Sequence, residues 1–347
     1  MQLLLPRDNT GLLPISYFHA LARLGQEGLV LVEPSQSFVS LGYFDAKETV
    51  DLAYCREQGI PVMRRETGGG MVLLGPGQVF YTLVMRRPHP PIPNGVQDAY
   101  RHLSQAPVAV YGRMGIRARL RPINDIVTEQ GHKIGGQGAA DINGHFCFVG
   151  SILLDFDHDL MHRIVRLSDP RLKVALKGAL ASHMTSIRRE TGHTPSADRI
   201  KEYLIQAFRP LVGGLEMAPV SDALLREARL VTKELAASVH EDDEPRSRPL
   251  FKIQEGLYLC QRVVATPPGP IALSISIRDD IVVSVRAIAG ADRDVSAWMK
   301  EWTGARFAAD TLPLCNAARC LGITTDSLIA CLFGPPDSAG VTPGIAE

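Results

Sequence analysis

The chain has 347 residues, enough for one large domain with a proper core plus a smaller one. Hydrophobic residues make up 45% and charged residues 21%, with Lys+Arg and Asp+Glu balanced at 37 each. That balance leaves no global field for nucleic acid or a membrane surface, and 6% aromatics leave little for base stacking.

From the N-terminus, Pro6 and Gly11 break the chain before a signal-length apolar run develops, and no stretch reaches the roughly 18–20 apolar residues that span a bilayer. The six cysteines (Cys55, Cys147, Cys260, Cys315, Cys320, Cys331) are scattered, without a C-x-x-C. Such usage fits a reducing compartment better than a disulfide framework or structural zinc, so a cytoplasmic protein is expected. Apolar spacing predicts a helix over Ile15–Leu24, strands at Leu29–Val32 and Phe38–Leu41, and a short helix from Val50 stopped by Gly59 and Pro61. Strands are predicted at Val62–Arg65, Met71–Leu74 and Val79–Met85. A helix follows over Asp98–Met114, then strands at Ala118–Leu120, Asp125–Thr128, Lys133–Gly135 and Phe146–Leu154. Helices are predicted at Leu160–Val165 and Ile200–Leu211. His240–Pro249, charged and almost without apolar residues, reads as a linker between a domain over 1–240 and one over 247–347. Beyond it, Ile271–Ile277 and Ile281–Ile288 alternate as a hairpin, followed by helices at Val295–Trp302 and Thr325–Phe333, giving a small α+β domain.

The chemistry concentrates in two glycine-rich stretches. In Arg64-Arg65-Glu66-Thr67-Gly68-Gly69-Gly70-Met71-Val72-Leu73, three glycines let the backbone approach a ligand, its N–H groups can converge on an anion, and Arg65 offers a charged fork for a phosphate. A plain hairpin turn is the alternative. The second stretch is Asn124-Asp125-Ile126-Val127, then Gly131-His132-Lys133-Ile134-Gly135-Gly136-Gln137-Gly138. It sets a lysine between strand-like pieces just before glycines, where a fixed ammonium can meet developing negative charge; a structural lysine is the alternative. Asn124 and Asp125 suit ribose, amine or a phosphate-bound Mg²⁺, or form an ordinary turn.

Together with the helix LPISYFHALARL, the strand GSILLDFD and the segment His183-Met184-Thr185-Ser186-Ile187-Arg188, these stretches resemble the lipoate–protein ligase A family of the biotin/lipoate ligase superfamily. The resemblance implies an α/β (α+β) fold: a mixed β-sheet flanked by helices, plus a small C-terminal accessory domain. It implies an ATP- and Mg²⁺-dependent ligase that activates lipoate as its adenylate and passes it to a lysine of an acceptor. The acceptor would be a 2-oxoacid dehydrogenase E2 subunit, the glycine cleavage H protein or a specialised lipoyl carrier, with a monomeric enzyme as the default. By the same resemblance Lys133 is the catalytic residue, touching both the lipoyl carboxylate and the α-phosphate. Arg65, Gly70, Met71, Val72, Leu73, Asn124 and Asp125 hold the nucleotide, with Asp125 on Mg²⁺. Thr67, Gly68, Gly69, Gly135, Gly136, Val149 and Gly150 line the acyl slot.

Two departures touch that slot: Val149 stands where the family often has His, and Gly136-Gln137-Gly138-Ala139 where serines are common. Two other readings stay open. One is a related octanoyl or lipoyl acyltransferase that uses a cysteine nucleophile and no ATP. Cys147 lies three residues before Gly150 where one transferase branch has its cysteine four before, and the other branch places it near Ile123-Asn124-Asp125, which holds none. The second is a non-catalytic lipoyl or nucleotide binder. The basic stretch with Arg163, Arg166, Arg171, Lys173, Lys177, Arg188 and Arg189 against Asp169 and Glu190 reads either as a solvated face or as a surface for an acidic acceptor.

Overall fold

A computed structural model describes residues 1–43, 45, 47–167, 170–240, 250–254, 256–289 and 296–333. Most of the predicted linker, 241–249, lies outside the described residues, as do Val295, Asp169 and the side chain of Arg171. Two compact units emerge. The first holds most of residues 1–240; the second holds the described residues from 250 on, together with the pieces Glu48–Asp51 and His162–Leu180.

The strands of the first unit are β1 (Gln2–Leu4), β2 (Gly28–Val32), β3 (Phe38–Leu41), β4 (Val62–Arg64), β5 (Val72–Leu74), β6 (Gln78–Met85), β7 (Ala118–Arg121), β8 (Asp125–Thr128), β9 (Lys133–Ile142), β10 (His145–Leu153) and β11 (Glu216–Met217). Eight of them form one mixed sheet in the order β11-β1-β2-β6-β10-β9-β8-β7, and β4-β3-β5 form a second, smaller sheet. Pairing is parallel where β1 meets β2 and β11, and antiparallel from β2 through β7.

Every residue of β6 (QVFYTLVM) is buried, as expected of a central strand covered on both faces. Val79, Tyr81, Leu83 and Met85 point into one core with Phe146, Phe148 and Ile152, beneath the helices Val96–Leu103, Gln105–Arg113 and Ala197–Leu211. Phe80, Val84 and Cys147 point into the other, against the helices Leu13–Arg23 and Asp222–Ala237. The last two long helices of this unit start at Ser196 and Ser221, whose side chains accept from the backbone N–H of Arg199 and Leu224.

The single helix predicted over Asp98–Met114 is two, meeting at Ser104. Pro107 falls in the first turn of the second helix, where its missing N–H costs no intrahelical bond. The strand predicted over Lys133–Gly135 runs on through the glycine cluster to ten residues, because strands on both sides supply hydrogen-bond ladders that outweigh the low strand preference of glycine.

In the second unit, β12 (Leu250–Gln254), β13 (Leu257–Val264), β14 (Ile271–Arg278) and β15 (Ile281–Ala289) make an antiparallel meander that contains the predicted hairpin. It has its own core, in which Trp298 and Trp302 pack with Leu273, Ile275, Leu314, Leu321 and Leu328. Trp302 satisfies its indole N–H on the Pro313 carbonyl at 3.1 Å. The chain is thus a large mixed sheet flanked by helices, with an additional C-terminal sheet domain. Among the described residues no helix is long and apolar enough to cross a membrane.

The main sheet is tightest where Tyr81 crosses Gly150 on the paired strands β6 and β10. A Cβ on Gly150 would fall inside the Tyr81 ring, which is itself wedged against Phe208 at a centroid distance of 5.5 Å. Gly150→Ala is therefore expected to lower unfolding free energy by about 1–3 kcal/mol, the usual range for overpacking, as measured by urea denaturation.

Candidate functional site

Lys133 opens β9, and its backbone carbonyl is pinned by the Thr185 N–H at 2.8 Å, next to a parallel bridge between Lys133 and Met184. In the β8–β9 register Val127 faces Lys133 and Asp125 faces Gly136, so the lysine side chain must run along its own strand to reach the carboxylate. It does: Nζ lies 2.8 Å from Asp125 Oδ1, and 3.4 Å from where a Gly136 Cβ would stand. The Asp125 side chain is 1% exposed and that of Lys133 16%. Removing one partner from such a buried pair costs about 3–5 kcal/mol, because the other charge is left without compensation. Asn124 sits alongside, its carbonyl accepting from Gln137 N at 2.9 Å and its buried Oδ1 without a protein partner.

The acyl-slot residues divide by face. A Cβ on Gly138 would touch Val149 Cγ2 at 3.4 Å and lie 3.8 Å from both Gly68 O and Thr67 Oγ1, so the glycine turn stands over β9 at this point. Thr67 is fully buried and its Oγ1 has no protein partner, while open space surrounds Gly68. Lys133, Gly136, Gly138, Val149, Thr67 and Gly68 therefore share one strip, free of side chains along β9. Gly135 and Gly150 are not on it. Gly135 faces Tyr111 Oη and Gly150 faces Tyr81, both on the opposite side of the sheet.

The turn is tied from within. Arg65, 7% exposed, donates from Nη1 to Ser40 O (2.9 Å) and Ser40 Oγ (3.3 Å), and from Nη2 to Gly68 O (2.9 Å) and Gly70 O (2.8 Å). Its terminal nitrogens meet the protein's own oxygens where a phosphate was expected. Burial pulls its pKa down to about 10, with Asp45 opposing. Gly69 takes φ +90°, a conformation other residues rarely adopt. Beyond the turn, Met71 and Leu73 are buried, and Val72 and Leu73 pair with Ser40 and Val39 as part of β5. Glu66 anchors the turn to the helix Leu13–Arg23. Its carboxylate lies 3.6 Å from His19 Nδ1 and 3.6 Å from Arg23, which reaches on to Glu234 at 2.5 Å. The His19 imidazole, and then Arg23, holds the Glu66 carboxyl below its usual range, while burial lowers the pKa of His19.

The Asp125 carboxylate, expected on Mg²⁺, faces the Lys133 ammonium through Oδ1 at 2.8 Å, and the described residues contain no group of three His, Cys, Asp or Glu side chains able to hold a metal. Cys147 is fully buried and pairs with Ala140 and Val84; burial pushes its thiol up to about 12. Sequence reasoning missed the support beneath the strip, in which Ser104 Oγ donates to Gln137 Oε1 (2.8 Å), Gln137 Nε2 to Tyr81 Oη (3.0 Å), and Tyr111 Oη to Ile134 O (2.5 Å). These residues are far apart in sequence, and no local pattern joins them.

Residues 16–209 match the family profile of the lipoyl protein ligase A/B catalytic domain. The chain is 28% identical to the octanoyltransferase LipM of Geobacillus kaustophilus, covering 59% of this chain and 81% of that one. It is 27% identical to the octanoyltransferase LipM of Kyrpidia tusciae, with the same coverage, 59% and 81%. Among solved structures it resembles the bipartite lipoate protein ligase of Thermoplasma acidophilum, solved in work on that ligase and its E2 lipoyl domain. The TM-score is 0.61 at 21% identity, over 70% of this chain and 98% of that one. The expectation of an ATP-dependent, AMP-forming lipoate ligase is corrected here. The sequence relatives named above are octanoyltransferases, whereas likeness to the ligase at 21% identity speaks for the fold alone.

The His19–Glu66 contact has a pH signature. A buried histidine whose folded pKa lies below its unfolded value of about 6.5 stabilises the fold above that pH and loses the contribution as pH falls. Glu66, lowered likewise, loses its own contribution only further down, as pH falls below about 4.3. The thermal midpoint is expected to drop between about pH 7.5 and about pH 5.5, and His19→Gln to drop less, as read by circular dichroism.

Proposed function

Because the chain belongs to the lipoyl protein ligase A/B catalytic-domain family, we propose that it is an ATP-independent acyltransferase that moves an octanoyl or lipoyl group from a thioester to a lysine of a lipoyl-domain acceptor. The observation that carries this reading is the Lys133 ammonium, fixed on buried Asp125 at the head of the side-chain-free strip of Gly136 and Gly138. An acyl chain laid along that strip beneath Thr67 and Gly68 brings its carbonyl to Nζ. Attack by an amine turns that carbonyl oxygen into an oxyanion, and a positive charge already in place stabilises it without reorganisation. Asp125 holds the ammonium in position and limits its rotamers. Arg65, engaged on Ser40, Gly68 and Gly70, keeps the turn in shape as the roof of the slot.

The LipM octanoyltransferases support the reaction class, and the Thermoplasma ligase, studied with an E2 lipoyl domain, supports the acceptor class. On this reading residues 1–240 are the catalytic domain and 247–347 an accessory one. The acceptor is an E2 subunit, a glycine cleavage H protein or a specialised lipoyl carrier.

The test is incubation with an octanoyl thioester of an acyl carrier protein and an apo lipoyl domain, without ATP. Octanoylated lysine is expected by mass spectrometry. Lys133→Gln, with its fold checked by circular dichroism, should lower the rate about 10²–10³-fold, the cost of losing one oxyanion donor. Product that forms only when free acid and ATP are supplied would overturn the proposal.

A further inference from the structure

Resting on that acyltransferase reading, we infer that the Thr67 hydroxyl decides which acyl group the slot prefers: one that bears sulfur partway along its chain, as a lipoyl group does, over a plain octanoyl chain. Thr67 is 0% exposed, and its Oγ1 is a buried atom without a hydrogen-bond partner. The same atom lies 3.8 Å from where a Cβ on Gly138 would stand, so the hydroxyl overhangs the side-chain-free strip. Buried polar side chains nearly always have a partner, and an orphan hydroxyl facing a ligand slot is a donor left for the ligand. The polar atoms around it are already bonded. Thr67 O accepts from Tyr43 N at 3.1 Å, and Gly68 O and Gly70 O accept from Arg65 at 2.9 and 2.8 Å. Below, Gly138 has no side chain and Val149 brings only methyl groups, one of them 3.4 Å from the Gly138 Cβ position. At this row the slot is apolar apart from one free donor.

Its distance from the reacting end selects the atom it meets. Lys133 Nζ, which holds the carbonyl on this reading, rests beside Gly136, two residues before Gly138. Two residues of strand span about 7 Å, which an extended acyl chain crosses in about five carbon–carbon bonds. Counted from the carbonyl carbon, that is the sixth carbon, which bears a sulfur in a lipoyl group and only hydrogen in an octanoyl group. Sulfur is a weak acceptor that suits an apolar slot, and here it receives a hydroxyl that the fold has already stripped of water. A hydrocarbon chain leaves that hydroxyl unpaired, and a site built around a hydrogen bond disfavours the group that cannot make it. Thr82 is the built-in comparison. It is 3% exposed, its Oγ1 also lacks a partner, and it lies in the same cross-strand row, paired with Val149, which pairs with Gly138. Val149 stands between Thr82 and the strip, so the same chemistry one strand further on has no acyl chain to meet.

The experiment gives the full chain octanoyl and lipoyl thioesters of one carrier protein, at equal concentration in one vessel, with an apo lipoyl domain and no ATP. Mass spectrometry reads the ratio of the two products, which is the ratio of their kcat/KM values. The parent should favour the lipoyl product. Thr67→Val should lower the ratio about three- to tenfold, what one hydrogen bond contributes, and Thr67→Ser should keep it. Thr82→Val should leave the ratio where the parent has it. A variant that is only partly folded slows both products alike, so the ratio separates specificity from stability. A parent that favours octanoyl, a ratio unmoved by Thr67→Val, or one moved as far by Thr82→Val would overturn the inference and leave the acyltransferase reading standing. No transfer of either group would overturn both. Should Thr67→Val fail to fold, the preference of the parent decides.

Discussion

The ion pair between Lys133 and Asp125 fixes where a positive charge stands in the main sheet, and the surrounding architecture is arranged around that point. A long flexible side chain ordinarily spreads over many rotamers. Here the carboxylate on the neighbouring strand, three positions along in register, draws it flat over its own strand. That path is open only because Gly136 has no side chain, and the strand that carries it is held by ladders on both sides and by the Thr185 amide at its start. A Cβ at Gly136 would stand 3.3 Å from Lys133 Cε and 3.4 Å from Nζ, close enough to make the lysine shift.

Around this charge the sheet works as a partition. One face of β9 and β10 presents Gly136, Gly138 and Val149 to the glycine turn. The other seats Gln137, Gly135 and Gly150 on a buried network of Tyr81, Tyr111 and Ser104. The period-two alternation of a strand makes the division strict, so neighbouring glycines in one cluster serve opposite purposes. The fold is shared with a lipoate ligase while the relatives found by sequence are octanoyltransferases, so the fold cannot by itself name the reaction. The groups at the carbonyl decide it.

Much of this was legible in the sequence. The first helix, the apolar strands around Val79–Met85 and Phe146–Leu154 and the C-terminal hairpin follow from local periodicity, and Lys133 stood out by its position before glycines. The helix Asp222–Ala237 could have been read too, since Leu224, Ala228, Val231 and Leu235 recur at helical spacing behind a Ser221 cap. Other features were not accessible. Nothing local reveals that Arg65 folds back onto Ser40 and the turn, because the partners are carbonyls, which every residue carries. Which glycines face the slot depends on a bulge between β8 and β9 that shifts the register near Lys133. The residues read from the sequence did not separate ligase from transferase, so the choice between them needed relatives.

The Arg65 tether has a kinetic side. A triple-glycine turn left to itself samples many shapes, and a ligand that selects one must restrict the rest as it binds. With four hydrogen bonds closing on Ser40, Gly68 and Gly70, that restriction happens when the chain folds, long before any substrate arrives. The roof of the slot is then a rigid template. On the proposed reading, in which an acyl chain lies beneath it, discrimination falls on the entry step instead of on a later closing motion.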